Sequence, residues 1–360
     1  MGDLWAQDSG RSPSTILWGT SLTGGGSGGG TVFKLVGGSL ERVWNFTGGS
    51  DGSFPLGGLT ADKAGVLYGT TSGGGTNGNG TVFKIDRIQG TLTTIWRFSG
   101  SDGSSPQGNL LVDESGALYG TTSSGGIHNS AVCYSGTGCG TVFKLIPPLR
   151  GQSSWTLTTL HYFTGGADGG NPYTAGVIAD KNGALYGTTW LGGTSNPLCD
   201  PIGCGVVFKL SPPSRAGQTP WTETVLWGFS GYGDGDNPQG PVIADRKGAL
   251  YGTTSFGGIS CPVYGIYGCG VVFKLTPPAS GQTAWAEATL WSFTGGSDGS
   301  TPFAGLAADN NGALYGTTEN GGDVSNPNSP PCYTAGCGVV FKLTGTGFAP
   351  GGEQDAEVAE

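Results

Sequence analysis

Eight cysteines fall as four local pairs: Cys133 with Cys139, Cys199 with Cys204, Cys261 with Cys269, and Cys332 with Cys337. An even count, with each pair confined to one short stretch, predicts four small disulfide rings and an oxidising compartment. Zinc is the rival chemistry, but each stretch offers two sulfurs and His128 is the one histidine near any of them. Five aspartates, Asp51, Asp102, Asp168, Asp234 and Asp298, each open an Asp-Gly-x-x-Pro loop. Carboxylates bind hard cations, so calcium is the one cofactor these loops could admit, and no other is expected. A lone Asp before Gly and Pro is also what an Asx-type turn needs for its own amides, and calcium wants about six oxygens, so the structural reading is preferred. Four acids stand outside the repeated pattern: Asp200, Asp236, Glu319 and Asp323. They are the candidates for acid–base work on a glycosidic bond, which needs two carboxyls about 5 to 10 Å apart, and no spacing rule links them. With two histidines, His128 and His161, no nucleophilic triad assembles.

The elements that hold these residues repeat. Gly-(Thr/Val)-Val-Phe-Lys-(Leu/Ile) ends at Leu35, Ile85, Leu145, Leu210, Leu275 and Leu343. One unit reads Pro238 to Asp245, Ala249 to Thr254, Gly270 to Leu275 and Ala286 to Phe293. Each run is short, mostly β-branched or aromatic, and bounded by Gly, Pro, Asp or Asn, which is the strand signature. Asp-x-x-Gly joins the first two runs, as at Asp245 to Gly248, and suits a type I turn. Runs two and three occur six times, and runs one and four five times. The pattern predicts an all-β fold, a β-propeller of six four-stranded antiparallel blades, since radial closure leaves few exposed edges. An open β-solenoid is the other architecture and favours shorter coils. Residues 1–347 are expected as one domain, with 1–14 a candidate ring-closing strand through Leu4-Trp5, and 348–360 as an acidic, disordered tail.

Composition narrows the partners. Formal charge is −9, and six of the sixteen Lys and Arg are the repeated lysines from Lys34 to Lys342, so nothing basic is clustered. Nucleic acid and anionic membranes are therefore excluded as expected partners. No apolar run reaches the ~18 residues that span a bilayer, so no membrane insertion is expected. The segment from Met1 lacks a charged-then-apolar leader pattern and reads as a mature soluble form. Glycine is abundant, with 74 residues, but recurs in register with aromatic and β-branched positions, so it reads as turns and bulges rather than disorder.

The run Asp-x-x-Gly-x-Leu-Tyr-Gly-Thr-Thr, a Gly-rich stretch, then Gly-x-Val-Phe-Lys-Leu resembles the GloVer (Gloeo/Verruco) tandem repeat of bacterial surface and secreted proteins. The resemblance implies an extracytoplasmic propeller: extracellular, cell-surface or periplasmic. It brings no catalytic residue. The family pattern includes a C-terminal sorting anchor, whereas Thr344 to Glu360 shows no apolar anchor.

In an up-and-down blade, the loop between runs two and three and the loop leaving run four emerge at the same end. That end carries the cysteine pairs and the Asp-Gly-x-x-Pro loops, so function is expected there. The repeated Tyr68, Tyr119, Tyr186, Tyr251 and Tyr315 are read as packing, as is His161, which stands where other copies have Trp44, Trp96, Trp227 and Trp291. Residues that break the repeat are more informative: Trp190, Tyr134, Tyr232, Phe256, Tyr264, Tyr267 and Tyr333. Exposed rings stack on the C–H faces of sugars, so these are the candidate ligand-binding residues. The expected function is non-catalytic binding of a glycan or a cell-surface protein. A polysaccharide hydrolase or lyase is the first alternative, and a surface-layer or filament protein the second.

Overall fold

A computed structural model describes residues 16–126, 133, 137–193, 199, 202–214, 220–259, 261, 267–322 and 336–351. Among the described residues, twenty-two strands form six separate antiparallel sheets. Blade one is β1 (Ile16–Ser21), β2 (Thr31–Val36) and β3 (Ser39–Asn45). Blade two is β4 (Thr60–Ala61), β5 (Leu67–Thr71), β6 (Thr81–Ile85) and β7 (Leu92–Arg97). Blade three is β8 (Leu111–Val112), β9 (Leu118–Thr122), β10 (Thr141–Ile146) and β11 (Thr156–Tyr162). Blade four is β12 (Ile178–Ala179), β13 (Leu185–Thr189), β14 (Val206–Ser211) and β15 (Thr222–Gly228). Blade five is β16 (Ile243–Ala244), β17 (Leu250–Thr254), β18 (Val271–Thr276) and β19 (Ala286–Ser292). Blade six is β20 (Ala307–Ala308), β21 (Leu314–Thr317) and β22 (Val340–Leu343). The fold class is thus a six-bladed β-propeller. Blades one to three belong to one compact unit, and blades four to six to a second.

The repeated motif is explained residue by residue. In blade five, Leu250 is buried in the core and Tyr251 lies under the Lys274 ammonium, 5.2 Å from its ring centre. The Tyr251 hydroxyl donates to Asp245, whose other oxygen accepts the turn amides of Lys247 and Ala249. The same Tyr-to-Asp bond recurs at Tyr68, Tyr119, Tyr186 and Tyr315, so these tyrosines brace the Asp-x-x-Gly turns. Gly252 must lack a side chain, because a Cβ there would sit 2.6 Å from the Phe273 ring. Thr253 donates to the Ala304 carbonyl of the segment entering the next blade, as Thr20, Thr70 and Thr188 do to Gly57, Gly108 and Gly240. Phe46, Phe98, Phe229 and Phe293, which follow the outer strands, pack on the strand-three phenylalanine one blade on, with ring centres 5.2 Å apart for Phe46 and Phe83 and 5.1 Å for Phe229 and Phe273. Such tilted contacts add to area burial, and they couple neighbouring blades within each unit.

The innermost strand is shorter than the sequence predicts. Only Ile243–Ala244 pairs within the expected run Pro238 to Asp245. Pro238 and Pro241 have no N–H to give a ladder, and Gly240 spends its carbonyl on Thr188. Each pairing of strand three with a strand four carries a bulge, as between Val207 and Phe208. Leu4-Trp5 lies outside the described residues. Phe348 and Ala349, expected in the tail, pack onto blade five: Phe348 lies 5.1 Å from the Tyr251 ring, and the Ala349 amide donates to Asp245.

Candidate functional site

Both loop sets expected at one end do meet there. Isolated bridges join them at Ser53 with Gly73, Ser104 with Ser124, Gly170 with Leu191, Asp236 with Phe256, and Ser300 with Asn320. The residue after each first partner, Phe54, Ser105, Asn171, Asn237 or Thr301, has φ between 55° and 59°. That left-handed turn aims its amide at the preceding loop, where Asn237 donates to the Cys204 carbonyl and Thr301 to that of Cys269. Disulfides join Cys133 to Cys139, Cys199 to Cys204 and Cys261 to Cys269. Cys337 is also disulfide-bonded, and Cys332 lies outside the described residues.

The repeated aspartates are structural where their bonds are described. Asp51 accepts from the Trp44 indole and from the Thr47 amide and hydroxyl. Asp102 does the same for Trp96 and Ser99, Asp234 for Trp227 and Ser230, and Asp298 for Trp291 and Thr294. A cation at these carboxylates would compete with three donors each. Asp168 holds the same place in its loop. His161 packs edge-on to Phe163, with ring centres 4.7 Å apart.

Two of the nominated aromatics come together. The Tyr232 carbonyl accepts from the Gly258 amide at 2.7 Å, and the Tyr267 carbonyl accepts from Gly257 at 2.6 Å. Two tyrosines from different loops are thus tied to adjacent glycines of blade five. Their side chains are 56% and 53% exposed, and neighbouring Ile259 is 51% exposed. Tyr232 stands where the other loops have Gly49, Gly166 and Gly296, whose carbonyls accept the same amide. Its ring is therefore an addition that the turn does not require. Phe256 is half-buried beside them, and Trp190 is half-buried with its carbonyl taken by the Asn237 side chain. Tyr134, Tyr264 and Tyr333 lie outside the described residues, as do Asp200 and Asp323.

Among the nominated acids, Glu319 is exposed. Asp236 is buried, at 7% exposure, and its Oδ1 has no hydrogen-bond partner among the described residues. Burial pushes its carboxyl up to about 7, against the pull of the Asn237 amide and with a further push from the Asp234 charge. Glu287 behaves alike: burial and Asp234 push it up to about 7 against a bond from Thr289. The sequence reading passed over Glu287, yet a signal was there. In strand four, Leu40, Leu92 and Leu157 face the Leu or Ile that closes the Val-Phe-Lys-Leu motif of strand three, and Glu223 and Glu287 take that place in blades four and five.

Comparison with known sequences places the repeat. The Gloeobacter/Verrucomicrobia repeat matches residues 7–137 and 132–349. The chain belongs to that family. No curated protein matches it. Among solved structures, a gluconolactonase candidate is 13% identical, with TM-score 0.44, covering 84% of this chain and 80% of that one. A 6-phosphogluconolactonase candidate of Bacteroides fragilis is 15% identical, with TM-score 0.47 and coverage of 85% and 74%. TolB of Acinetobacter baumannii is 11% identical, with TM-score 0.42; the match covers 76% of this chain and 54% of TolB. In this Gloeobacter/Verrucomicrobia repeat protein, Tyr232, Asp236, Tyr267 and Glu287 all depart from the repeat within blades four and five or the loop between them.

Proposed function

We propose that this protein is an extracytoplasmic propeller that binds a neutral glycan without cleaving it, through the surface around Tyr232, Ile259 and Tyr267. The observation that carries the reading is the pair of exposed tyrosines whose backbones are fixed on Gly257 and Gly258. Tyrosine offers a large contact face with few torsions to freeze, so a ring held by its backbone binds a sugar face at low entropic cost. The net charge of −9 favours a neutral ligand over an anionic one. The local disulfides support an oxidising compartment.

The test is a panel of neutral oligo- and polysaccharides, each sample read for melting temperature and for released products. A binder melts higher with its glycan, through mass action on the folded state, and leaves the glycan intact. Tyr232→Gly and Tyr267→Ile restore residues that sister loops carry, so they should keep the fold and abolish the shift. A shift that survives both substitutions refutes the surface.

A polysaccharide-active enzyme is the second reading, favoured by Asp236 and Glu287 both being held protonated to about pH 7 around Asp234. Products in the same panel, lost in Glu287→Gln, would establish it. Silence in both readouts would instead point to a protein partner at the cell surface.

A further inference from the structure

Each cysteine ring offers two sulfurs, and the fold brings a carboxylate from another loop to one of them. The two sulfurs of Cys199 and Cys204 and a carboxylate oxygen of Asp236 all lie within 4.8 Å of one another. Asp236 arrives from the loop that leaves blade four, where the Asn237 amide locks onto the Cys204 carbonyl. The carboxyl is more than nine-tenths buried, and among the described residues its Oδ1 has no hydrogen-bond partner, a costly arrangement for an acid with no task. At the same place in the Asp-Gly-x-x-Pro loop, pairing in the same isolated bridge, sister loops carry Ser53, Ser104, Gly170 and Ser300. Architecture therefore does not require an acid here.

We propose that Cys199, Cys204 and Asp236 form a redox-gated site for a thiophilic divalent cation, of which Zn²⁺ is the type, open only when the Cys199–Cys204 disulfide is reduced. This inference stands independently of glycan binding. A dithiol can open the ring. Its first thiolate bonds to Cys199 Sγ, the more exposed of the pair, and the S–S electrons leave on Cys204 as thiolate. Its second thiolate then closes the reductant's own disulfide and frees Cys199 as thiolate. Two electrons have passed to the protein, and the reductant's two protons go to solvent. The two thiolates and the carboxylate then hold the cation, with the fourth tetrahedral position open to water. Tetrahedral zinc at about 2.3 Å from each sulfur sets them about 3.8 Å apart. The Cα separation of 5.1 Å accommodates that spread by side-chain rotation.

The experiment uses the full chain, reduced by a phosphine, which takes its oxygen from water and leaves no competing thiol. After anaerobic desalting, Co²⁺ is titrated while thiolate-to-metal charge-transfer absorption is followed, and Zn²⁺ is then added to displace it. The expected result is one tight equivalent with a thiolate band. Asp236→Ser, which copies Ser300, and Asp236→Asn should each weaken it at least tenfold. Cys199→Ser/Cys204→Ser should remove it, leaving only weak binding at the sister pairs. Equal affinity in wild type and Asp236→Ser, a tight band that survives loss of both cysteines, or loss of the β-sheet circular dichroism on reduction would each overturn the proposal.

Discussion

Replacing Asp236 by Asn should make this protein gain stability relative to wild type as pH rises from 4 to 8. An acid whose folded pKa lies above its open-chain value keeps a proton in the fold that the unfolded chain has already released. Its stabilising contribution is complete below pH 3.8 and is lost as pH rises through about 7. At 1.36 kcal/mol per pH unit of that window, ionisation makes folding about 4 kcal/mol less favourable above pH 8 than at pH 4. Asn is close in size and never ionises, so the variant escapes this loss. Unfolding entropy of about 2.1 cal/mol/K per residue converts the difference to about 5 °C if the whole chain melts together.

The assay is a set of paired thermal melts from pH 4 to pH 9 with the disulfides intact. Glu287 titrates in the same window with the same sign, but it is present in both proteins and cancels in their difference. Any hydrogen bond that Asn gains or loses appears as a constant offset. The quantity that matters is the growth of the gap between pH 4 and pH 8. A gap that is flat across the range would refute the argument, as would a wild type that gains on the variant above pH 7.

Asp245→Ala strips the acceptor from the amides of Lys247, Ala249 and Ala349 and from the Tyr251 hydroxyl, and should cost about 2–4 kcal/mol in denaturant unfolding, with Asp245→Asn costing less because it keeps an acceptor oxygen. Gly252→Ala drives a methyl into the Phe273 ring and should cost about 1–3 kcal/mol, whereas Gly26→Ala, with open space around it and ordinary backbone angles, should be near neutral in the same assay. Thr301→Asn should stabilise by about 1 kcal/mol, read as a higher melting temperature, because a β-branched residue at φ 56° is strained where Asn171 and Asn237 already serve in sister loops.

Most of the scaffold was legible because it is written six times. Leu-Tyr-Gly-Thr-Thr and Gly-x-Val-Phe-Lys-Leu pair in one register throughout the sheets, and the Asp-x-x-Gly turns close as expected. The missing outer strand of blade six and missing inner strand of blade one match the count of sequence runs among the described residues. The innermost strands were over-read, since apolar alternation in Pro-Val-Ile-Ala does not reveal that the prolines forgo pairing. The left-handed residues before the loop prolines were invisible as well. Phe54, Ser105, Asn171, Asn237 and Thr301 share a conformation and no chemistry, so only the repeated position identifies them.

The site followed the opposite rule. Repetition shows what each position is for, so a residue that departs from it without breaking the turn exposes a second constraint. Tyr232 replaces a turn glycine and sends its ring to solvent, where it adds nothing to the blade. Asp236 replaces Ser or Gly and buries a carboxyl that the other loops manage without. Glu287 replaces a leucine at the foot of an outer strand. All three costs fall in blades four and five, and Glu223 of blade four repeats the third. A scaffold under selection for stability alone would have kept glycine, serine and leucine at these places, because each departure exposes apolar surface or desolvates a charge. The concentration of such departures in one stretch of a regular repeat is the physical ground for placing function there.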